Sequence, residues 1–233
     1  MTMATGNLYL IPVPIHDDGQ DTIPAGTLNV IRSLDFFIAE RAKTARKFIK
    51  ILCPDLVQAN LKVEEMTDNM DVSPFIMMLK KGINIGVMSE AGNPCIADPG
   101  HQLVAAAHKE NIPVIALTGP SSILLALIAS GFNGQQFSFH GYLPNKKDAL
   151  LTKLKSLELV LQKTRYTQIF METPYRNHFI WDGMMAALSD KTMLCVACDL
   201  GSNLAFIKTL PVGAWKKMGM PDIQKKPAII LLG

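Results

Sequence analysis

Cysteine is scarce in this chain: Cys53, Cys95, Cys195 and Cys198 are the only four among 233 residues. That excludes a disulfide-stapled framework at this size. No signal peptide opens the sequence, so the expected setting is reducing and cytoplasmic. A strong charge of one sign is missing too. The net charge of +3 permits contact with nucleic acid but falls short of the basic footprint of a dedicated binder. No Gly-x-Gly-x-x-Gly follows the first apolar run, which argues against a nicotinamide dehydrogenase. Residues Asn111 to Asn145 carry no Asp, Glu, Lys or Arg, yet a membrane span of about 20 apolar residues is excluded. Thr118-Gly119-Pro120-Ser121-Ser122 interrupts the stretch, and Asn133-Gly134-Gln135-Gln136 ends it. Repeats and low-complexity segments are absent as well.

What is present is an apolar share of 48%, enough to bury a large core in one large domain or two small ones. Short apolar runs alternate with amphipathic ones. Strands are expected at Asn7 to Ile11, Phe36 to Ala39, Ile83 to Met88 and Pro113 to Leu117. Helices are expected at Pro24 to Ser33, Arg41 to Leu52, Val72 to Gly82, His101 to Glu110 and Ser121 to Ser130. In the third of these helices Ser73 can cap, Pro74 suits the first turn and Gly82 suits a left-handed stop. Such alternation implies a parallel sheet with helices on both faces.

From Gly131 to Lys147 the texture turns to Gly, Asn, Gln and Pro, which reads as a link between domains at 1–134 and 135–233. Beyond it, helices are expected near Asp148 to Gln162, Asn177 to Leu188 and Gly213 to Met218. Strands are expected at Thr167 to Met171, Met193 to Cys198, Ala205 to Leu210 and Ala228 to Leu232. The second domain therefore reads as α/β with antiparallel pairs.

Two turns carry the functional signal. Ser89-Glu90-Ala91-Gly92-Asn93-Pro94 and Thr118-Gly119-Pro120-Ser121-Ser122 each follow an apolar run, so small residues fall at the carboxyl ends of strands, where open α/β folds bind ligands. This reads as a nucleotide-type cofactor site.

The first turn continues Cys95-Ile96-Ala97-Asp98-Pro99-Gly100. The whole run resembles the signature of the tetrapyrrole methylase superfamily of S-adenosylmethionine (SAM) methyltransferases, with the closest likeness to its ribosomal RNA 2′-O-methyltransferase branch. The resemblance extends along the chain. Leu8-Tyr9-Leu10-Ile11-Pro12-Val13-Pro14-Ile15 is similar to the family's first strand and turn, Gly141-Tyr142-Leu143-Pro144 to the opening of its second domain, and Phe170-Met171-Glu172-Thr173-Pro174-Tyr175-Arg176 to a Phe-Tyr-Glu-Ser-x-x-Arg run. Departures fall at His16-Asp17-Asp18-Gly19, at Arg41-Ala42-Lys43, at His140 and at Asp199-Leu200-Gly201. Cofactor motifs survive better than substrate motifs.

The resemblance implies two α/β domains with SAM in the cleft between them, a homodimer, and a cofactor pocket drawn from Pro14, Asn93, Ile96, Ser121, Ser122, Met171 and Ala228. Gly92 and Gly119 would let the backbone approach the cofactor. SAM brings its own reactive methyl group, so the protein has to orient it and exclude water. A ribose hydroxyl is a poor nucleophile that gains from a base. Glu40 and Glu172 are the candidates, with Glu90 third, against the alternative that each carboxylate caps a helix or pairs with a cation.

The implied substrate is ribosomal RNA or the small ribosomal subunit. Arg41, Lys43 and Arg46, with Lys47 and Lys50, form a basic helix face that either contacts RNA phosphates or is merely solvated. Arg176 either pairs with Glu172 or binds phosphate. Cys195 and Cys198 lie in an apolar strand that sends them to opposite faces, and the histidines show no ligand spacing, so no metal is expected. Two alternatives stay open: C-methylation of tetrapyrrole precursors, and a non-catalytic module that binds SAM or RNA.

Overall fold

The computed structural model describes residues 5–67 and 69–233. The chain divides into two compact units, Met1–Ser121 and Ser122–Gly233. The first contains β1 (Leu8–Ile11), α1 (Ala25–Arg32), β2 (Phe36–Ala39), α2 (Ala42–Leu52), β3 (Lys62–Glu65), α3 (Ser73–Lys80), β4 (Ile85–Met88), α4 (His101–Lys109) and β5 (Val114–Ala116). Its five strands pair in parallel in the order β3-β2-β4-β1-β5.

Alternation along β2 shows why both faces are covered. Phe37 and Ala39 pack with Ile31 of α1 and with Ala45, Phe48 and Ile49 of α2. Phe36 and Ile38 pack on the other face with Phe75 and Leu79 of α3 and Leu103 of α4. All four β2 residues are buried, and each large one contributes roughly 1.5–3 kcal/mol. The chain leaves β1 toward β2 on one side and leaves β4 toward β5 on the other. The neighbours β1 and β4 therefore flank the switch point, where a crevice opens beyond the strands' carboxyl ends.

Two details differ from the sequence expectation. Strand β3 was not foreseen, because three of its four residues are charged and it lies at the sheet's edge. Ser73 is the first residue of α3 and makes no side-chain cap; instead the Asp71 carboxylate accepts the Ser73 N–H at 2.9 Å.

The second unit contains α5 (Ser122–Ser130), β6 (Phe137–Tyr142), α6 (Lys147–Thr164), β7 (Thr167–Glu172), α7 (Asn177–Ala187), β8 (Met193–Cys198), β9 (Phe206–Pro211), α8 (Val212–Met218) and β10 (Ala228–Leu232). Its sheet is mixed, in the order β6-β7-β10-β8-β9, with β6 and β7 parallel and the other pairs antiparallel. One face carries the main core, where Leu150, Leu154 and Leu157 of α6, Trp181 of α7 and Trp215 of α8 meet Phe170, Val196 and Ile230. Trp181 and Trp215 pack edge to face with ring centroids 5.6 Å apart, and the Trp215 indole donates to the Leu194 carbonyl at 2.9 Å.

Helix α5 packs on β9 and β10. The Thr209 hydroxyl of β9 donates to the Ser130 carbonyl at 2.7 Å, which ties the helix to the opposite face. That packing is why α5 belongs with the second unit although the Gly/Asn/Gln-rich link comes after it. The link itself contains β6. No helix among the described residues is long and apolar enough to cross a membrane.

Candidate functional site

In the first unit, three turns meet beyond the carboxyl ends of β1, β4 and β5. The turn after β1 is pinned to the turn after β4 by two backbone bonds, Val13 N–H to Gly92 O at 2.9 Å and Gly92 N–H to Val13 O at 3.1 Å. The Ser89 hydroxyl donates to the same Gly92 carbonyl at 3.0 Å. The turn after β5 joins through Asn93, whose side-chain amide donates to Pro120 O at 3.1 Å. Its carbonyl at Thr118 accepts the Thr27 hydroxyl at 2.9 Å. Gly119 lies so close to the Pro12 ring that a Cβ there would overlap it.

The loop after β4 is left-handed at Gly92 (φ +70°), Cys95 (φ +68°), Ala97 (φ +62°) and Gly100 (φ +128°). Two of these residues are not glycine, and left-handed backbone at such residues costs of order 1 kcal/mol or more and concentrates at functional sites. The loop presents Ile96, 51% exposed, between its two strained neighbours. Pro14 is buried. The sequence candidates Pro14, Gly92, Asn93, Ile96, Gly119 and Ser121 thus lie on these three turns, and Ser122 begins α5.

Three carboxylates gather around this loop. Burial pushes Asp98 up to about 6, and the negative charges of Glu40 and Glu90 add to the effect. The Oε1 atom of Glu90 is buried without a hydrogen-bond partner. Glu40 follows β2 and is half-buried. Sequence reasoning gave Asp98 no role, although it lies in the Asp98-Pro99-Gly100 end of the motif. The signal is absent from the sequence because the field on Asp98 arises only when β2 is laid beside β4.

The α2 cations are not equivalent. Arg46 donates to the carbonyls of Gln58 and Leu61 at 3.0 Å each, which holds the segment before β3. Lys47 pairs with Asp17 at 3.1 Å. Arg41, Lys43 and Lys50 are exposed and form no ion pair among the described residues.

In the second unit, Glu172 ends β7 with a wholly buried side chain. Its Oε1 accepts the Thr173 N–H at 2.7 Å. Its Oε2 faces Arg176 as an ion pair at 3.2 Å but makes no aligned hydrogen bond. Arg176 also donates to the carbonyls of Leu143 and Pro144 at 3.2 Å each and lies 5.5 Å from the centre of the Phe179 ring. Register pairs Ala228 with Glu172 and Ile229 with Met171, so Met171 and Ala228 face opposite sides of the sheet. His140 contacts the Gln168 side-chain oxygen at 2.8 Å, and burial holds its ring below the ordinary histidine range against that hydrogen bond. The two thiols of β8 separate as alternation requires, with Cys198 in the helix-covered core and Cys195 outside it. Burial raises Cys198 to about 11, with Asp199 adding to the shift.

The rim of turns suits a cofactor like SAM: tightly packed, with left-handed backbone at close approach and negative charge nearby to meet a cationic sulfonium. Ribosomal RNA small subunit methyltransferase I of Vibrio cholerae is 29% identical over 97% of this chain and 76% of its own length. The protein of that name from Streptococcus pyogenes serotype M6 is 32% identical over 82% of this chain, and the match spans 64% of its length. Among solved structures, the methyltransferase CobJ shares the fold with a TM-score of 0.64 at 13% identity, over 98% of this chain and 94% of that one. The family model for tetrapyrrole (corrin/porphyrin) methylases matches residues 7–222, and the chain belongs to that family of methyltransferases.

Proposed function

We propose that this protein transfers a methyl group from SAM to a ribose 2′-hydroxyl of small-subunit ribosomal RNA, acting in the cytoplasm as a homodimer. The observation that carries the hydroxyl assignment is the gathering of Glu40, Glu90 and Asp98 at the rim of the cofactor turns. An oxygen nucleophile must lose a proton as it attacks, and a carboxylate at the rim can accept it. The names of the relatives support RNA as the substrate.

SAM supplies the electrophilic methyl group. The protein's share is to hold and orient it and to receive the proton. Gly92, Asn93, Gly119, Ser121 and Ser122 hold it through backbone and small polar groups; Pro14 and Ile96 supply apolar contact. Met171 and Ala228 enter this assignment by resemblance alone. Glu40 accepts the proton, and Asp98 and Glu90 keep the local potential negative. Glu172 serves as a positioning residue: its buried carboxylate is occupied by Thr173 and by Arg176, and through Arg176 it fixes the Leu143-Pro144 turn. Arg41, Lys43 and Lys50 are free to meet phosphates, whereas Arg46 works mainly inside the fold.

The test is transfer of labelled methyl from SAM to small ribosomal subunits of a strain lacking this gene, beside a calorimetric titration of SAM. Label in the RNA at a ribose is the expected result. SAM binding without labelled RNA would overturn the RNA assignment and favour a carbon acceptor or a module without turnover; absence of SAM binding would overturn the cofactor.

A further inference from the structure

At the carboxyl end of β7, one aromatic ring stands almost bare on a rigid mount. Tyr175 is 90% exposed, whereas Glu172 and Asn177 on either side are 2% and 1% exposed. The Glu172–Arg176 ion pair closes the loop, and the Arg176 N–H bonds to the Thr173 carbonyl at 3.1 Å. Arg176 ties the loop to the Leu143-Pro144 turn after β6. On the other flank, the Lys225 N–H donates to the Pro174 carbonyl at 3.1 Å. The Asn177 side chain donates to the carbonyls of Ile223 and of Lys226, the latter at 2.8 Å. Three loops are thus bolted together beneath one exposed phenol.

The charges on the loops around that ring are mixed, with a surplus of unpaired lysines: Asp148 is exposed beside Lys147, and Lys226 faces two carboxylates. Arg176 is neutralised by Glu172, and Lys226 by Asp199 and Asp222 at 3.5 and 3.4 Å. Lys225, held in left-handed backbone at φ +61° next to Pro174, forms no ion pair among the described residues. The same is true of Lys146 and Lys147, which follow the Leu143-Pro144 turn and are exposed. An exposed aromatic face on an ordered loop, with unpaired lysines on the adjoining loops, matches the chemistry of a single-stranded nucleotide, whose base stacks while its phosphates meet cations. Because the mount is already ordered, little backbone freedom remains to be lost on binding.

We propose that Tyr175 is a stacking platform for one unpaired base of the RNA substrate, with Lys225, Lys146 and Lys147 holding the adjoining phosphates. This inference rests on the RNA reading above and adds a subsite to it.

The test measures binding of a fluorescein-labelled, short single-stranded RNA by anisotropy at several salt concentrations, with methyl transfer to small ribosomal subunits followed in parallel. Tyr175→Ala should weaken binding about 5- to 150-fold; Tyr175→Phe, which keeps the ring face, should bind within roughly twofold of the parent protein. Lys225→Ala should reduce the salt dependence by about one phosphate contact. Melting temperatures should be unchanged, since Tyr175 buries almost nothing. If the parent protein methylates the subunits and Tyr175→Ala binds RNA equally well, the platform is overturned and the RNA reading stands. Equal losses in the Ala and Phe variants would overturn stacking in favour of the hydroxyl. If the parent protein neither binds RNA nor methylates it, the RNA reading falls and the platform falls with it.

Discussion

Asn93 donates its side-chain amide to the Pro120 carbonyl at 3.1 Å, and this bond ties the turn after β4 to the turn after β5. Replacing Asn93 by Ala removes the tie at a cost of about 1 kcal/mol. Asp is the more telling change, because it presents a carboxylate oxygen to a carbonyl oxygen where a donor stood. SAM affinity measured by calorimetry should fall in the order Asn, Ala, Asp. Equal affinity in all three would mean that the tie does not shape the cofactor rim.

Glycines at two positions separate fold from function. A Cβ at Gly86 would lie 2.5 Å from Ile11 Cδ1 and 3.0 Å from Leu34 Cδ1, inside the core, where overpacking costs about 1–3 kcal/mol. A Cβ at Gly119 would overlap the Pro12 ring at the proposed cofactor rim. Gly86→Ala should lower the melting temperature yet bind SAM at low temperature; Gly119→Ala should lose SAM binding even where it remains folded. A pair of melting curves and titrations decides the matter.

Asp98 makes stability and activity respond to pH in opposite senses. Its value in the folded protein, about 6, stands above the ordinary 3.8, so ionising it costs folding energy. That cost is absent below about pH 4, grows as pH rises toward 6 and is fully present above it. After solvent screening it amounts to about 1 kcal/mol, or roughly 2–4 °C of melting temperature. Asp98→Asn should therefore melt higher than the parent protein at pH 7.5 and equally at pH 4. Methyl transfer by the parent protein should rise through about pH 6, and the Asn variant should lack that limb. A variant that melts lower at neutral pH would contradict the proposed crowding of charge.

Glu172 distinguishes a positioning role from a chemical one. Glu172→Gln leaves Arg176 without its counter-charge; with Glu172 wholly buried and Arg176 29% exposed, the loss should be about 2–3 kcal/mol and should lower the melting temperature by roughly 5–10 °C. Arg176→Lys should behave similarly, since an ammonium cannot span a carboxylate and two carbonyls as a guanidinium does. Below the melting range, Glu172→Gln should keep much of its methyl transfer. A large loss of kcat with unchanged melting would instead make Glu172 the base.

Much of this architecture was legible because burial writes itself into residue type. Strands β2 and β8 begin and end where their apolar runs do, and the buried face of α2, Ala45, Phe48, Ile49 and Leu52, is spaced as a helix requires. Two of the edge strands, β3 and β6, were harder. Lys62–Glu65 carries three charges and is held by pairing with β2; Phe137–Tyr142 lies among glycine and glutamine, and its ladder to β7 breaks register between Phe139 and Tyr142. The candidate site divides similarly. Its turns could be read from small residues after strands, and the Glu172–Arg176 pair from a spacing of four. The elevated Asp98 could not, since its burial, and the Glu40 and Glu90 charges that add to the shift, arise only when separate segments fold together.

The central place of β1 has a consequence for how the chain is made. Leu8 lies far ahead in sequence of its partners in the sheet, Ile85 and Val114. Antiparallel neighbours such as β8 and β9 can zip as soon as both are made, whereas a parallel strand must wait for its crossover. The first strand of this sheet to be made is therefore the last to be enclosed, and the apolar segment Leu8–Ile11 stays available to chaperones, or to misassembly, until Val114–Ala116 has emerged.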